Sequence, residues 1–289
     1  MTTGIINVLK PPGMTSHDVV SFVRRTYGLK RVGHAGTLDP AAAGVLPVFL
    51  GPATRLIEYT TDSDKSYRVE LTFGFSTNSG DDTGTVIDEA PDGAIPAAEK
   101  IGPALAAFTG SIEQIPPMHS AVKIDGVKLY QLARKGLEVD RPSRTVFISA
   151  INLIKTALPV ILFDVTCSKG TYIRSLCMDI GDKLGCPAVM SFLVRTRVGN
   201  FTLSEAKTLE EIAAAPQSVL LPPDSAIGHL PAVALSDRDV KALTTGQAIT
   251  CPSSPAGPLL RLYNQQGLFI GIGGAQAGTG RLLPLKILG

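Results

Sequence analysis

The sequence lacks the cysteine spacing of a zinc or redox site. Its four cysteines, Cys167, Cys177, Cys186 and Cys251, include no CxxC pair, and no histidine cluster lies near them. We therefore expect reduced thiols and no metal site. The 289 residues also contain neither a GxGxxG motif nor a P-loop, which argues against a dinucleotide- or nucleoside-triphosphate-binding protein.

Long apolar runs are absent as well. No uninterrupted stretch approaches the roughly 18–20 residues of a membrane span, and the N-terminus lacks the basic start and apolar run of a signal peptide. The sequence therefore predicts a cytoplasmic protein without a membrane segment. Apolar residues make up 44% of the chain and charged residues 18%, which indicates a substantial core rather than disorder.

Charge is unevenly distributed along the chain. The net charge of +2 argues only weakly for a nucleic-acid partner, but residues 69–99 carry seven acids and no Lys or Arg, so bases are in excess elsewhere. Such bases can bind phosphates or form an ordinary solvated face. The candidate phosphate contacts are Arg24, Arg25, Lys30, Arg31, Lys123, Lys128, Arg134, Lys135, Arg141 and Arg144.

Helical and strand patterns are mixed along the chain without strict βαβ alternation, which favours an α+β fold. Residues 33–51, rich in Gly, Ala and Pro, have neither period and are predicted to form an apolar loop. Helices are predicted at 16–27, with Ser16 as the cap, and at 97–108, 127–135 and 174–184. Strands are predicted at 65–73, 145–153 and 160–167.

A proline-rich stretch around 220–231 predicts a domain boundary. Beyond it, strand-like runs at 259–264, 267–275 and 280–288 are separated by Gly and polar turns. This pattern predicts a small all-β module of compact barrel type.

Asp39 is the acid with the most unusual surroundings. It precedes Pro40 in the predicted apolar loop, and Asp-Pro usually only initiates a turn. A carboxylate in apolar surroundings is desolvated unless a cation lies beside it. Arg174 is such a cation, because it is predicted near the N-terminus of a helix, where the helix dipole disfavours an isolated positive charge.

Several segments resemble the TruB family of tRNA pseudouridine synthases. The loop Gly33-His-Ala-Gly-Thr-Leu-Asp39-Pro and its continuation to Val48 closely resemble the active-site loop of that family. Further blocks that resemble family motifs occur in family order, namely Lys10-Pro-Pro-Gly-Met-Thr-Ser16, Lys65-Ser-Tyr67, Gln114-Ile-Pro-Pro, Ser120-Ala-Val-Lys123, Tyr130-Gln-Leu-Ala-Arg134, Ser168-Lys-Gly-Thr-Tyr-Ile-Arg174 and Leu193-Val-Arg-Thr196.

The resemblance implies roles for individual residues. Asp39 matches the catalytic aspartate and Arg174 its arginine partner, while Tyr67 matches the tyrosine beside the everted base. Tyr172 and Leu193 match residues that line the uracil pocket, and His34 matches a histidine near the extruded nucleotide. Each tyrosine taken alone would more often be a core residue, and His34 could simply brace its loop.

The resemblance also implies a fold and a reaction. We expect a pseudouridine synthase domain over residues 1–228, with a long mixed β-sheet, flanking helices and an RNA-contacting insertion at about 114–142. A short PUA-like RNA-binding domain is expected over 229–289. The implied reaction converts uridine 55 in the T-loop of tRNA to pseudouridine without a cofactor, and the implied protein is a monomer that binds the T-arm without an obligatory protein partner.

Two alternatives remain open at the level of the sequence. The first is the catalytic subunit of a guide-RNA-dependent pseudouridine synthase, which would share Asp39 and Arg174 but need partner proteins. The second is a non-catalytic RNA-binding or tRNA-folding protein. The short tail argues against the first, and the retention of Asp39, Tyr67 and Arg174 argues against the second.

Overall fold

A computed structural model describes residues 2–60, 63–91, 94–120, 122–124, 126–133, 135–251, 257–276 and 278–288. Arg134, one of the predicted phosphate contacts, lies outside these ranges. The α-helices are α1 (Ser16–Tyr27), α2 (Ala98–Ala106), α3 (Leu129–Ala133), α4 (Ile173–Leu184), α5 (Leu209–Ala214) and α6 (Asp237–Thr244). Short 3₁₀ helices cover Gly51–Tyr59, Leu203–Glu205 and Pro223–Ile227.

The predicted strands are all present, and the structure adds strands that were not predicted, including the long strands Gly4–Lys10 and Ala188–Val198. They are β1 (Gly4–Lys10), β2 (Val32–His34), β3 (Ala43–Leu50), β4 (Lys65–Phe73), β5 (Phe75–Thr77), β6 (Val86–Glu89), β7 (Gly110–Gln114), β8 (Lys123–Ile124), β9 (Val127–Lys128), β10 (Arg144–Ala157), β11 (Val160–Cys167), β12 (Ala188–Val198), β13 (Phe201–Thr202), β14 (Ala232–Ala234), β15 (Ile249–Thr250), β16 (Leu259–Tyr263), β17 (Phe269–Gln276) and β18 (Arg281–Ile287).

The chain divides into two compact units. The first combines Met1–Pro40, Gly44–Thr61 and Gly199–Gly289, and the second combines Ala41–Ala43 with Asp62–Val198. In the first unit, β3 pairs antiparallel with both β1 and β2. Helix α1 packs its buried valines against these strands to form one apolar core.

The predicted bounds of α1 are confirmed, but the predicted cap is wrong. Thr15 is the N-cap, and it forms a capping box with Asp18 because each side chain bonds the other residue's backbone N–H. Ser16 is the first helical residue, and its hydroxyl is used elsewhere. Gly28 ends the helix with φ 62°, a left-handed conformation that glycine adopts without steric cost.

The prediction that residues 33–51 form an irregular loop is wrong for their second half, which is strand β3. Seven of its eight residues are buried, from Gly44 to Leu50. A strand that is buried on both faces reads as a continuous apolar run, so it carries no alternation for a sequence pattern to detect.

The C-terminal part of the first unit contains the predicted all-β module. Its strand order is β14-β16-β17-β18-β15, with α6 packed over a core of Leu and Ile side chains. Gly271 allows β17 and β18 to approach closely, since a Cβ at this position would lie 2.0 Å from the Lys286 carbonyl oxygen. Strand β18 also contacts the 3₁₀ helix Gly51–Tyr59, where Arg55 donates to the Ile287 carbonyl at 2.6 Å and Lys286 pairs with Glu58 at 2.7 Å.

The second unit is built on antiparallel strands in the order β12-β4-β11-β10-β7. Strand β4 keeps the predicted bounds and the predicted alternation, with Tyr67, Val69, Leu71 and Phe73 buried on one face. Helix α4 packs on β12 and β4, and α2 packs on α4 and β10. The predicted α+β class, a large sheet with flanking helices and a small C-terminal all-β module, is therefore confirmed.

Candidate active site

Asp39 lies in the loop that joins β2 to β3. The loop is partly inserted into the protein, because Leu38 and Ala42 on either side of the aspartate are buried while Asp39 itself is only partly buried. His34 is the last residue of β2, where it pairs with Val48, and the next residue, Ala35, donates its N–H to the Pro47 carbonyl. The loop therefore starts from a fixed strand end.

The buried hydroxyl of Ser16 holds the residue that precedes Asp39. The Leu38 N–H donates to Ser16 Oγ at 2.9 Å, and Ser16 Oγ donates to the Leu38 carbonyl at 3.1 Å. One side chain thus satisfies both backbone polar groups of the buried residue Leu38. This contact fixes the backbone beside Asp39 to the first turn of α1.

The residue after Asp39 is held by the same N-terminal segment. The Pro40 carbonyl accepts a hydrogen bond from the Lys10 ammonium at 3.2 Å and from the Gly13 N–H at 2.8 Å. Lys10 is fully buried and also donates to the Pro11 carbonyl at 2.9 Å. The segment from Lys10 to Ser16 therefore braces the Asp39 loop on both sides of the aspartate.

Arg174 is the second residue of α4, near the helix N-terminus as predicted, and only 6% of its surface is exposed. Its Nη1 donates to the Ser79 carbonyl at 3.0 Å and its Nη2 to the His119 carbonyl at 2.9 Å. Gly80 fits closely against it, since a Cβ there would lie 3.2 Å from Arg174 Cβ. The guanidinium is thus held between two loops of the second unit.

Asp81 is a site residue that the sequence interpretation missed. Burial raises the pKa of Asp81, but hydrogen bonds from Thr83 and Ser79 and the positive charge of Arg174 outweigh it and bring the pKa below its usual value. Its Oδ1 accepts from Ser79 Oγ at 2.7 Å and from Thr83 Oγ1 at 2.6 Å. The carboxylate of Asp81 therefore interacts electrostatically with Arg174 within the second unit.

Tyr172 is the N-cap residue of α4, and its backbone is clamped by Gln114. Gln114 Nε2 donates to the Tyr172 carbonyl at 3.1 Å, and the Tyr172 N–H donates to Gln114 Oε1 at 2.9 Å. Ser175 adds a bond from its hydroxyl to the Ile115 carbonyl at 3.0 Å. The motif that begins at Gln114 therefore fixes the start of the helix that carries Tyr172 and Arg174.

Tyr67 and Leu193 share one face of adjacent strands. Leu193 on β12 lies opposite Val69 on β4, two residues from Tyr67 on the same face, and both side chains are buried. Arg195 lies directly opposite Tyr67 and is buried as well. Arg195 lies within the motif Leu193-Val-Arg-Thr196, but no role was assigned to it from the sequence, because nothing in that motif indicates that an arginine is buried there.

In the ranges given above, no group of three or more His, Cys, Asp or Glu side chains is placed to hold a metal ion. None of the helices in the described part of the chain is long and apolar enough to cross a membrane.

Family models of pseudouridine synthases match most of the chain. The family model for the TruB family pseudouridylate synthase N-terminal domain matches residues 24–173. The model for the tRNA pseudouridylate synthase B C-terminal domain matches residues 174–227, and that for the C-terminal part of pseudouridine synthase II TruB matches residues 231–288.

Individual proteins are similar over nearly the full length. The tRNA pseudouridine synthase B of Caldanaerobacter subterraneus subsp. tengcongensis is 48% identical, with 94% of this chain and 95% of the relative covered. The protein of the same name from Moorella thermoacetica is 46% identical, with both chains covered completely. Among solved structures, an H/ACA RNP bound to a substrate RNA containing 2′-deoxyuridine has a chain with a TM-score of 0.73 and 27% identity, covering 99% of this chain and 85% of that one.

Proposed function

The chain belongs to the TruB family of pseudouridylate synthases, and from that premise we propose that it converts uridine 55 in the T-loop of tRNA to pseudouridine with Asp39 as the catalytic carboxylate. The observation that carries the assignment of Asp39 is the bracing of its loop. Ser16 holds the residue before it, and Lys10 and Gly13 hold the residue after it. A reacting group needs this kind of fixed placement.

The reaction itself explains why an ionised carboxylate is needed. The bond from ribose C1′ to N1 breaks, the uracil turns, and C1′ bonds to C5. C5 then loses its proton while N1 gains one, so atoms are conserved and no cofactor is consumed. Attack at the sugar, attack at the ring and proton removal from the ribose to give a glycal are the possible routes, and each begins with a charged Asp39 as nucleophile or base.

Arg174 supplies the cation of the proposed site. Its two terminal nitrogens bind carbonyls in two loops, and its charge acts on Asp81. A guanidinium held in this way is oriented before substrate arrives, and pairing it with Asp39 keeps the carboxylate charged when RNA excludes water. The ion pair between Asp39 and Arg174 is part of the proposal.

The remaining predicted residues form the proposed nucleoside pocket. Everting uridine 55 from its stack costs a few kcal/mol, and an aromatic ring can receive the free base. Tyr67 is assigned this role, with Leu193 beside it on the same sheet face. Tyr172, fixed by Gln114, is assigned to the uracil pocket, and His34 to the displaced nucleotide.

The alternative of a guide-RNA-dependent subunit is less well supported. The structural relative from an H/ACA RNP is 27% identical, whereas the relatives named tRNA pseudouridine synthase B reach 46–48% over nearly the full chain. We therefore propose that the protein acts on tRNA as a monomer in the cytoplasm, without an obligatory protein partner. The domain boundary at residues 228 and 229 is part of the same proposal.

Tritium release from C5-labelled tRNA transcripts tests the assignment. The purified chain alone is expected to release tritium from an unmodified transcript and not from a transcript with cytidine at position 55. Asp39→Asn is expected to abolish release while tRNA affinity stays within about threefold, because phosphate contacts supply most of the affinity. The matched control is Asp88→Asn, an exposed acid on β6 that should behave like the parent.

Each arm of this experiment has an outcome against the proposal. Tritium release by Asp39→Asn at the parent rate would exclude Asp39 as the catalytic group. A requirement for added guide RNA or protein partners would favour the guide-dependent alternative. Tight tRNA binding by the parent without any release would favour the non-catalytic one.

A further inference from the structure

Arg195 is a buried cation in the same wall as the proposed base-pocket residues. It lies on β12 two positions after Leu193, so both side chains point to the same face of the sheet. In the antiparallel register it lies directly opposite Tyr67 on β4, and the two side chains are hydrogen-bonded. Arg195 is 1% exposed and Tyr67 is 7% exposed.

Arginine at this position is costly for the fold. Burial lowers the pKa of Arg195, and the electrostatic interaction and hydrogen bond with Tyr67 counteract this effect only in part. Neighbouring positions on this face, such as Val69 and Leu193, are apolar. An apolar side chain of similar volume commonly serves stability as well as a buried charge does or better. The sheet alone therefore gives no reason for an arginine opposite Tyr67.

The chemistry of the pair sets the direction of its hydrogen bond. A guanidinium has donors and no acceptor, so the phenol oxygen of Tyr67 must accept. The guanidinium is also planar and rigid, so it restricts the phenol ring more than a flexible ammonium would. With its oxygen held at one end, the ring of Tyr67 keeps one orientation in the pocket wall.

We propose that Arg195 is a positioning residue that holds the phenol of Tyr67 in the orientation needed to receive the everted uracil. The inference rests on the proposed function, in which Tyr67 is the residue beside the base. Arg195 acts through Tyr67 and does not bind RNA, since an arginine that is 1% exposed offers almost no surface to a phosphate. Arg197, two residues further on, lies opposite Ser66 and donates to its hydroxyl at 3.3 Å.

A double-mutant cycle between Arg195 and Tyr67 tests the proposal. The variants are Arg195→Met, Tyr67→Phe and the double variant, with Arg197→Met as the matched control on the same strand. Single-turnover pseudouridine formation, tRNA binding and melting temperature are measured for each. We expect Arg195→Met to slow the single-turnover rate at least about tenfold, with tRNA affinity within about threefold.

The coupling between the two positions decides the outcome. Adding Arg195→Met to Tyr67→Phe is expected to change the rate less than about twofold, because the acceptor is already gone. Arg195→Lys should recover part of the rate lost in Arg195→Met, since it restores a donor without the planar group. Arg197→Met should keep the parent rate.

Three results would overturn the proposal. A folded Arg195→Met variant with the parent rate removes any role for the guanidinium. Rate effects that multiply in the double variant indicate a general structural defect instead of action through Tyr67. Weaker tRNA binding with an unchanged single-turnover rate indicates an RNA contact. If Arg195→Met does not fold, the cycle is run with Arg195→Lys, for which a loss smaller than tenfold is expected because a donor remains, and the parent rate in that variant overturns the proposal.

Failure of the proposed function gives a different signature. If the parent protein modifies a uridine other than uridine 55, the proposed target is wrong, yet the cycle can still be measured at the uridine that reacts. If Asp39→Asn keeps the parent rate, the catalytic assignment fails independently of Arg195.

Discussion

Substitution of Ser16 by alanine should lower activity by disturbing the placement of Asp39, and it should do so by more than its effect on the stability of the fold explains. Ser16 Oγ accepts from the Leu38 N–H at 2.9 Å and donates to the Leu38 carbonyl at 3.1 Å, and Leu38 is buried next to Asp39. Ser16→Ala removes both bonds and leaves no steric clash, since the side chain only becomes smaller. The substitution therefore changes how firmly the backbone of the Asp39 loop is fixed to α1.

The size of the effect follows from the unpaired peptide group. A buried donor or acceptor left without a partner costs about 1–3 kcal/mol. About 1.4 kcal/mol corresponds to a tenfold change in an equilibrium constant, so each of the two groups left unpaired, the Leu38 N–H and the Leu38 carbonyl, costs the ordered loop about 5- to 150-fold against alternative conformations. The bonds from Lys10 and Gly13 to Pro40 remain. We therefore expect a loss near the lower end, with kcat reduced about tenfold and KM for tRNA within about threefold.

The control is Thr15→Ala at the adjacent residue. Thr15 caps α1 and forms the capping box with Asp18, so its loss costs about 1 kcal/mol of stability while Ser16 keeps the hydroxyl that binds Leu38. Steady-state kinetics on a tRNA transcript and melting temperatures are measured for both variants. Similar melting temperatures with a kcat loss confined to Ser16→Ala support the reasoning. An equal kcat loss in both variants, or none in Ser16→Ala, refutes it.

Two further predictions concern α4. Arg174→Lys should lower the single-turnover rate at least about tenfold, because one ammonium cannot replace two guanidinium nitrogens that bind separate carbonyls. The control is Arg68→Lys, at an exposed ion pair with Asp164, which should be neutral. An Arg174→Lys variant with the parent rate would contradict the proposed role. Burial, and then the charge of Asp182, raise the pKa of Asp179 to about 6 from 3.8. The folded state therefore binds the extra proton between these values, and stability falls as pH rises through this window. Asp179→Asn should raise the melting temperature at about pH 7.5 and leave it nearly unchanged at about pH 4; an equal shift at both values would show that the charge is not the cause.

Local signals in the sequence were sufficient for much of the fold. The alternation in Lys65–Phe73, and the helical spacing of Ser16–Tyr27 with Gly28 at its end, give the bounds that the structure confirms. Such elements are encoded by neighbouring residues, through the two-residue period of a strand and the backbone preference of Gly28. Strand β3 was missed for the opposite reason, because burial on both faces removes the alternation.

The residues named for the site came from local motifs and a family resemblance. The structure adds the side chains that hold the backbone beside them in place. The residues themselves marked Asp39 and Arg174 as unusual, and the family resemblance added Tyr67 and the N-terminal segment. The sequence could not show that the hydroxyl of Ser16 binds Leu38, since the two residues are 22 positions apart.

The sequence by itself determined the α+β class and the elements with a clear local pattern, because these depend on contacts between near neighbours. Only the tertiary structure decided what each polar side chain binds. It turned Ser16 from a predicted helix cap into a brace, and it placed Arg195 opposite Tyr67 across two strands. Both contacts join residues far apart in the chain, and burial determines their energy. Neither the partner of such a side chain nor its burial can be predicted from its neighbours in the sequence.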